Sequence, residues 1–509
     1  MSGRAALRLL LLAGVAFTLL LCATLPDEVF FSGDGGVKAL MVRQFAAGGW
    51  HADLRLAAEP WVEALWAEEL YPFAPQFVYE VDGRRFVQYP LSFPALTAPF
   101  YALLGFRGLL AWPLLGAWAT WCAFLLACRR RGLSSASSAF GLAGLIFAST
   151  LSAYAALFWE HTLAVALSFG GFALALPPAQ GEAKRRPALL GGLLLGLSVW
   201  IRPESAVFAV AITAALAWQG ARWRELFAMA AAGALPVLAW LAWNQWVFDS
   251  PLGVHALQSW EPDELHYPDM PPLLIARRLG GSLLLQHPIL PALAVLAVLW
   301  PAPAARARPG GPGDRAESAA WLAGALFCAI SVLLLPNDGG KQIGPRYWLH
   351  ALPLLWWVAA LRFEALRTAG APASGRAAAA LLVVLLVAGT WLNAVRGWQE
   401  LASDYRGRTL PALRLVRSAE ADVVAVAHQY VAQELQAAFD VVPFVRVRTD
   451  QDLERLGRAM AEAGRSRVLW LGFAPRRIPP RVVGDRLLRF DPPEPAGQYF
   501  AARGVLLPR

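Results

Sequence analysis

Three carboxylates within eight residues, Asp27, Glu28 and Asp34, stand in the stretch PDEVFFSGDGGVKALMVRQFAAGGW at 26–50. They follow directly on an apolar run, Leu7 to Leu25, that is long enough to cross a bilayer. A carboxylate held where the chain leaves the membrane can take a proton from a hydroxyl as that oxygen attacks a lipid-borne substrate. The Gly-Asp-Gly-Gly segment at 33–36 reads as a turn that leads into a helix. Val37, Leu40, Met41 and Phe45 fall at i, i+3, i+4 and i+8, so the helix has one apolar face for a membrane or a partner helix. Gly48 and Gly49 stop it. A second reading makes Asp34 only the N-cap of that helix. The sequence leaves both open.

Further groups with chemistry in them recur between later apolar runs. Glu160 and His161 form one such pair, and Arg202 with Glu204 another. Lys341 and Arg346 stand in NDGGKQIGPRYW at 337–348, where Asn337-Asp338-Gly339-Gly340 predicts a turn. Arg202 and Glu204 can pair with each other or reach toward lipid headgroups. His161, His255 and His266 lack metal-ligand spacing, so no metal or other cofactor is expected. The four cysteines, Cys22, Cys122, Cys128 and Cys328, lie in apolar runs and fit neither a disulfide framework nor a zinc site.

The elements that must position these residues are membrane spans. The chain has 509 residues, 57% hydrophobic and 16% charged, with mean hydropathy +0.45. That composition excludes a single soluble core and indicates a polytopic α-helical membrane protein. The net charge of +9 does not imply nucleic acid, because the basic residues fall in short loops and the C-terminal region. Of these basic residues only Lys38, Lys184 and Lys341 are lysine, and the Ala, Arg, Gly and Pro usage suggests a bacterial source.

Eleven runs qualify as spans: 7–25, 108–128, 138–156, 162–178, 188–201, 205–219, 226–247, 282–300, 319–335, 347–361 and 377–395. Arg4 and Arg8 precede the first, which reads as a retained signal anchor. With the N-terminus cytoplasmic, sixteen basic residues fall in inside loops and five in the short outside loops. The expected protein sits in a bacterial inner membrane, with its candidate residues and its C-terminal region outside.

Residues 1–395 thus read as a transmembrane domain whose first outer loop spans 26–107. In that loop EPWVEALWAEEL (59–70) predicts a surface helix. FVYEVDGRRFVQY (77–89) predicts two short strands around a turn at Asp82-Gly83. YPLSFPALTAPFYALLG (89–105) predicts a helix in the interface, anchored by Tyr89, Phe93, Phe100 and Tyr101. Residues 396–509 read as a small α/β domain, with strands in 421–429, 441–448 and 466–473 and helices in 432–439 and 450–464.

The first loop, with its Asp-Glu at the end of the first span and its helix ending at Gly, resembles that of membrane glycosyltransferases of the C-type (GT-C) fold. That group includes protein O-mannosyltransferases and the aminoarabinose transferases of lipid A, and is glycosyltransferase family 39-like. YPLSFPALTAPFYALLGF resembles the proline-rich segment found after that loop helix, and IRPE (201–204) and IGPRYWLHALPLL (343–355) are similar to later loop motifs. The likeness covers about residues 7–360. It departs from the pattern in one respect, because the Asp27-Glu28 pair and Asp34 are separate here.

The resemblance implies transfer of a sugar from a polyprenyl-phosphate carrier to a hydroxyl of a glycan, lipid or protein acceptor, with inversion, at the membrane lipid surface. The base is Asp34, which immediately precedes the helix, or Asp27 or Glu28. Arg346, Lys341 and Arg202 are the candidates to bind the carrier phosphate. Glu160, His161, Glu204 and Tyr89 are candidates to line the rest of the site. No Gly-rich nucleotide fingerprint is present, which favours a lipid-linked donor over a nucleotide sugar. A transporter or lipid-carrier flippase is the rival class, but it calls for charges deep in the spans and repeated halves.

Overall fold

The structure is a computed structural model that describes residues 2–75, 77–177, 185–254, 270–299, 316–335, 337–368 and 373–508. Lys184, Arg306, Arg308 and Arg315, which are among the sixteen inside-loop basic residues counted above, and His255 and His266 lie outside the described residues.

The helices begin with α1 (Gly3–Thr24), α2 (Gly33–Ala46) and α3 (Pro60–Leu65). A hairpin, β1 (Val78–Val81) and β2 (Arg84–Val87), precedes α4 (Ser92–Leu104), α5 (Ala111–Arg130), α6 (Ser135–Phe147) and α7 (Leu151–Tyr154). Next come α8 (His161–Ala175), α9 (Arg185–Ile201), α10 (Ser205–Trp218) and α11 (Trp223–Phe248). The helical run closes with α12 (Pro272–Gln286), α13 (Ile289–Leu299), α14 (Ala316–Leu334), α15 (Ala351–Thr368) and α16 (Ala373–Thr390). In the C-terminal region α17 (Gly397–Asp404), α18 (Leu410–Ser418), α19 (Gln429–Glu434) and α20 (Asp450–Glu462) accompany seven further strands.

Among the described residues, five helical stretches are long and apolar enough to cross a membrane: Gly3–Thr24, Ser92–Arg130, Trp223–Phe248, Ala316–Leu334 and Ala373–Ser418. α12 and α13 qualify together as a sixth, bent by 97° at their break. Four of the runs read as spans form the shorter apolar helices α6, α8, α9 and α10.

The chain divides into two compact units: Met1–Cys22 with Leu110–Trp398, and Ala23–Leu109 with Gln399–Arg509. The first is helical. Its α9 and α11 touch backbone to backbone through Gly192 and Gly196. A Cβ on Gly192 would lie 2.0 Å from the Met229 carbonyl oxygen, and one on Gly196 would lie 2.2 Å from that of Gly233. Two small residues four apart permit this close van der Waals approach, which drives helix association where no water is displaced. Trp121, Trp356, Trp357, Phe124 and Phe169 are fully buried in this unit.

The second unit holds a seven-stranded sheet. It contains β3 (Val423–Val426), β4 (Phe444–Arg446), β5 (Arg467–Gly472), β6 (Arg481–Val483), β7 (Arg486–Phe490), β8 (Glu494–Ala496) and β9 (Tyr499–Pro508). The order is β4-β3-β5-β9-β7-β6, with β8 also on β9. β3 pairs in parallel with β4 and β5, and the remaining pairs are antiparallel. α20 turns Leu453, Leu456, Gly457 and Met460 inward. It starts at a capping box, in which the Thr449 side chain accepts from Asp452 N–H and Asp452 reaches back to the Thr449 N–H.

The hairpin forms as expected, with Asp82 (φ 51°) and Gly83 (φ 69°) both left-handed in its two-residue turn. Asp53 ties it down, accepting from Arg55 Nε at 2.8 Å and from Arg84 Nη2 at 3.0 Å. Burial alone would raise the Asp53 carboxyl, but these two guanidinium groups hold it at about 2.

Two expectations for the first loop are corrected. The Gly-Asp-Gly-Gly segment is not a turn before the helix but its first turn, entered from Ser32 in extended backbone (φ −148°, ψ 165°). Of the two uses open to the apolar face of α2, a membrane or a partner helix, the partner helix is realised. α2 is buried nearly all round, from Gly33 through Val42 with only Asp34 half-buried, and it packs on α4 and α19. Glycine is the reason. A Cβ on Gly33 would stand 2.0 Å from Gln433 Oε1, and one on Gly36 would stand 1.8 Å from the Gln433 carbonyl oxygen. The bare backbone of this turn lets α19 seat directly against it. The predicted helix at 59–70 is also interrupted: α3 ends at Leu65, and Glu68 and Glu69 (φ 71°) leave helical geometry.

Candidate functional site

In the first unit, three connections bring the expected residues together: the one before α8, the one from α9 to α10 and the one before α15. Arg202 is the hub. Its Nη1 donates to Glu160 Oε1 at 2.8 Å and to His161 Nε2 at 2.8 Å, and its Nη2 donates to Glu204 Oε1 at 2.9 Å. A guanidinium has no lone pair, so His161 Nε2 accepts. Arg202, Glu160 and His161 are buried. Burial pushes the Arg202 guanidinium down, but Glu204 and Glu160 outweigh it and leave the group above its ordinary value. The paired reading of Arg202 and Glu204 is therefore realised, and Glu160 and His161 join it.

Aromatic rings connect this cluster to Arg346. The Arg202 guanidinium lies 5.9 Å from the Tyr347 ring centroid, and that of Arg346 lies 5.1 Å from the same ring. Arg346 also covers Trp159 at 5.3 Å. Trp159, His161 and Tyr154 cluster with centroids 5.1–5.4 Å apart. Trp159 and Tyr347 hold the Arg346 guanidinium between them, and its Nη2 also donates to the Tyr347 hydroxyl at 3.5 Å.

The loop carrying Arg346 has the predicted turn. Asn337 Oδ1 accepts from Gly339 N–H at 2.9 Å, and Gly339 and Gly340 have φ of 97° and 63°. Gln342 braces the segment between this turn and Arg346, accepting from Arg346 N–H at 3.0 Å and donating to the Asp338 carbonyl at 2.7 Å. Lys341 lies half-buried in this loop.

The remaining candidates belong to the second unit. Asp27 is 2.6 Å from Arg107 Nε, and Glu28, itself left-handed at φ 64°, is 2.6 Å from Arg417 Nη1. Each thus has its own arginine. Asp34 is neither a loop residue nor an N-cap: Ser32 holds the cap position, and Asp34 lies in the first turn of α2. A carboxylate there faces the positive end of the helix dipole. One turn on, Lys38 is 1% exposed, with Nζ 4.2 Å from the Tyr89 ring centroid. Tyr89 is therefore a platform for Lys38.

Sequence reasoning did not single out Tyr154, Trp159, Tyr347, Arg107 or Arg417. For Trp159 and Tyr347 a signal was present, since each directly adjoins a chosen charged residue. Among the described residues, no three His, Cys, Asp or Glu side chains gather as metal ligands.

This arrangement of helices has the GT-C fold of membrane glycosyltransferases. Two crystal structures of ArnT from Cupriavidus metallidurans, a lipid A aminoarabinose transferase, match over 97% of this chain and 97% of theirs. The apo state gives a TM-score of 0.57 at 14% identity, and the form bound to undecaprenyl phosphate gives 0.56 at 13%. The likeness is one of fold. No protein-family model matches the sequence, and no curated protein matches it significantly.

Proposed function

We propose that this chain is a multi-pass inner-membrane glycosyltransferase. It moves a sugar from a polyprenyl-phosphate carrier to an acceptor hydroxyl on the outer face, with inversion. The observation that carries the reading is the placement of Asp34, in the first turn of a helix whose glycines pack it against α19. A base must be held in a fixed position to take a proton as the acceptor oxygen forms its bond to the anomeric carbon. The bond from that carbon to the phosphate oxygen breaks, and its electron pair stays on the carrier. Arg346 and Lys341 meet that charge, with Arg202 beside Tyr347 holding the aromatic wall. The fold shared with a protein crystallised with undecaprenyl phosphate supports a lipid-linked donor. Eleven spans, an inside N-terminus and an outside C-terminal region complete the reading. A cytoplasm-dependent reporter fused after Arg509 is then silent, and a strong signal overturns that orientation.

The decisive experiment is carrier release from radiolabelled polyprenyl-phosphate sugars by purified protein. Asp34→Asn keeps expression and donor binding while turnover falls ~100- to 10,000-fold. Asp27→Asn and Glu28→Gln have milder effects, because those groups serve ion pairs. An active Asp34→Asn protein removes Asp34 as the base.

A further inference from the structure

A second concave site lies wholly within the second unit, between α3 and α20. α3 and the turn after it present Trp61, Ala64, Leu65 and Glu68, at i, i+3, i+4 and i+7. α20 and the residue after it present Arg455, Arg458, Ala459, Glu462 and Ala463, at i, i+3, i+4, i+7 and i+8. The two stripes face each other, but Ala64 and Ala459 stand in their middles, so the helices do not fill the space between them. A groove of about 530 Å³ results, well within the size of small-ligand sites.

Its walls differ in chemistry along their length. Leu65 and the alanines form an apolar floor. Trp61 stands at one end with its plane fixed, its Nε1–H donating to Glu59 Oε2 at 3.0 Å. Glu59 is itself gripped by Arg465 Nη2, at 2.8 and 2.7 Å from its two oxygens. At the other end Arg455 Nη1 reaches the Glu68 carbonyl oxygen at 3.4 Å, where the chain turns through left-handed Glu69. Glu68, Glu462, Arg455 and Arg458 supply two negative and two positive groups.

This balance selects the ligand. An anion meets two carboxylates and a cation meets two guanidinium groups. A neutral polyol uses all four, donating hydroxyl protons to the carboxylates and accepting from the arginines. The flat indole suits the C–H face of a sugar ring.

We propose that this groove binds a neutral oligosaccharide, the glycan portion of the acceptor. Its service to an acceptor rests on the transferase reading; its affinity for glycan does not. Saturation-transfer NMR on the full chain in detergent, without donor, tests it with neutral linear tetrasaccharides of glucose, mannose, galactose and arabinose. At least one gives a signal that falls 10-fold or more in Trp61→Ala. Ala463→Leu, at the residue that follows α20, fills the groove and abolishes the same signal, so a folding defect in Trp61→Ala does not decide the matter. Inorganic phosphate and tetragalacturonate do not compete. The proposal is overturned if no tetrasaccharide gives a signal sensitive to either variant, or if tetragalacturonate displaces the neutral sugars. Asp34→Asn protein binds the same sugar unchanged, so loss of turnover and loss of the groove are read separately.

Discussion

Gly36→Ala tests whether α2 is seated by its backbone. In an open helix the change stabilises by up to ~1 kcal/mol, because alanine is the better helix former. Here the new Cβ stands 1.8 Å from the Gln433 carbonyl oxygen, and backbone cannot swing aside as a side-chain tip can. Reaching even a tight 3.0 Å contact moves α2 or α19 by about 1.2 Å. Overpacking of this kind costs ~1–3 kcal/mol and more than cancels the propensity gain. At roughly 2–4 °C per kcal/mol, thermal unfolding in detergent falls by several degrees. The same displacement carries Asp34, two residues away, by about 1 Å, which is enough for ~100-fold loss of turnover in the carrier-release assay. Gly280→Ala on α12 is the control, since nothing lies within 4 Å of its added Cβ. If Gly36→Ala tracks Gly280→Ala in both unfolding temperature and turnover, the seat of α2 on α19 does not hold Asp34, and the placement argument for the base fails.

On the transferase reading, Arg346→Ala lowers kcat/KM for the donor ~10- to 100-fold, as loss of a charge-assisted phosphate contact would; Arg346→Lys restores only part because a point charge lacks the planar fork. A folded and fully active Arg346→Ala protein reduces the residue to a packing group. Glu160→Ala leaves the buried Arg202 charge with one carboxylate instead of two, costing about 3 kcal/mol, while Glu160→Gln, which keeps an acceptor oxygen, costs less. An unchanged unfolding temperature in Glu160→Ala refutes that accounting. Asp53 has its folded pKa depressed from 3.8 to about 2, so it stabilises above pH 4 and that contribution is lost as the pH falls toward 2. Asp53→Asn therefore lowers the unfolding temperature at pH 6, and its gap from the native protein narrows below pH 4; a gap constant from pH 6 to pH 3 contradicts the assignment.

What the sequence made legible was mostly local. The Asp82-Gly83 turn and the Asn337–Gly340 turn each need left-handed residues, and Gly, Asn and Asp announce them. α20 shows its period in DQDLERLGRAMAEAG, and its capping box adds Thr449 just before that stretch to Asp452 within it. The pairing of Arg202 with Glu204 was readable because the two are neighbours in sequence. Failures arose where the partner is remote. Val37, Leu40, Met41 and Phe45 describe an apolar face correctly, but pattern alone does not say that α4 and α19 also cover the opposite side. Gly33 and Gly36 look like turn residues until Gln433, some 400 positions later, explains why they carry no side chain. The strands β6 to β9 went unread for a related reason: their segment is rich in Pro and Arg, and their order comes from pairing rather than from propensity. Tyr347 and Trp159 were passed over because aromatic residues beside a membrane suggest anchors before they suggest walls for a guanidinium.

The composition of the second unit has a consequence for biogenesis. Its opening segment, Ala23–Leu109, is synthesised roughly 290 residues before its closing segment begins at Gln399. α2 starts with three glycines in four residues, so it is a poor helix by itself and gains its order from α19. The acid that the transferase reading makes the base therefore waits, throughout synthesis of the intervening helices, for a part of the chain not yet made. A ribosome that stops early, or a protease that trims the tail, leaves a product whose apolar helices are complete and whose α2 has no seat. On that reading, completion of the polypeptide becomes the condition for activity.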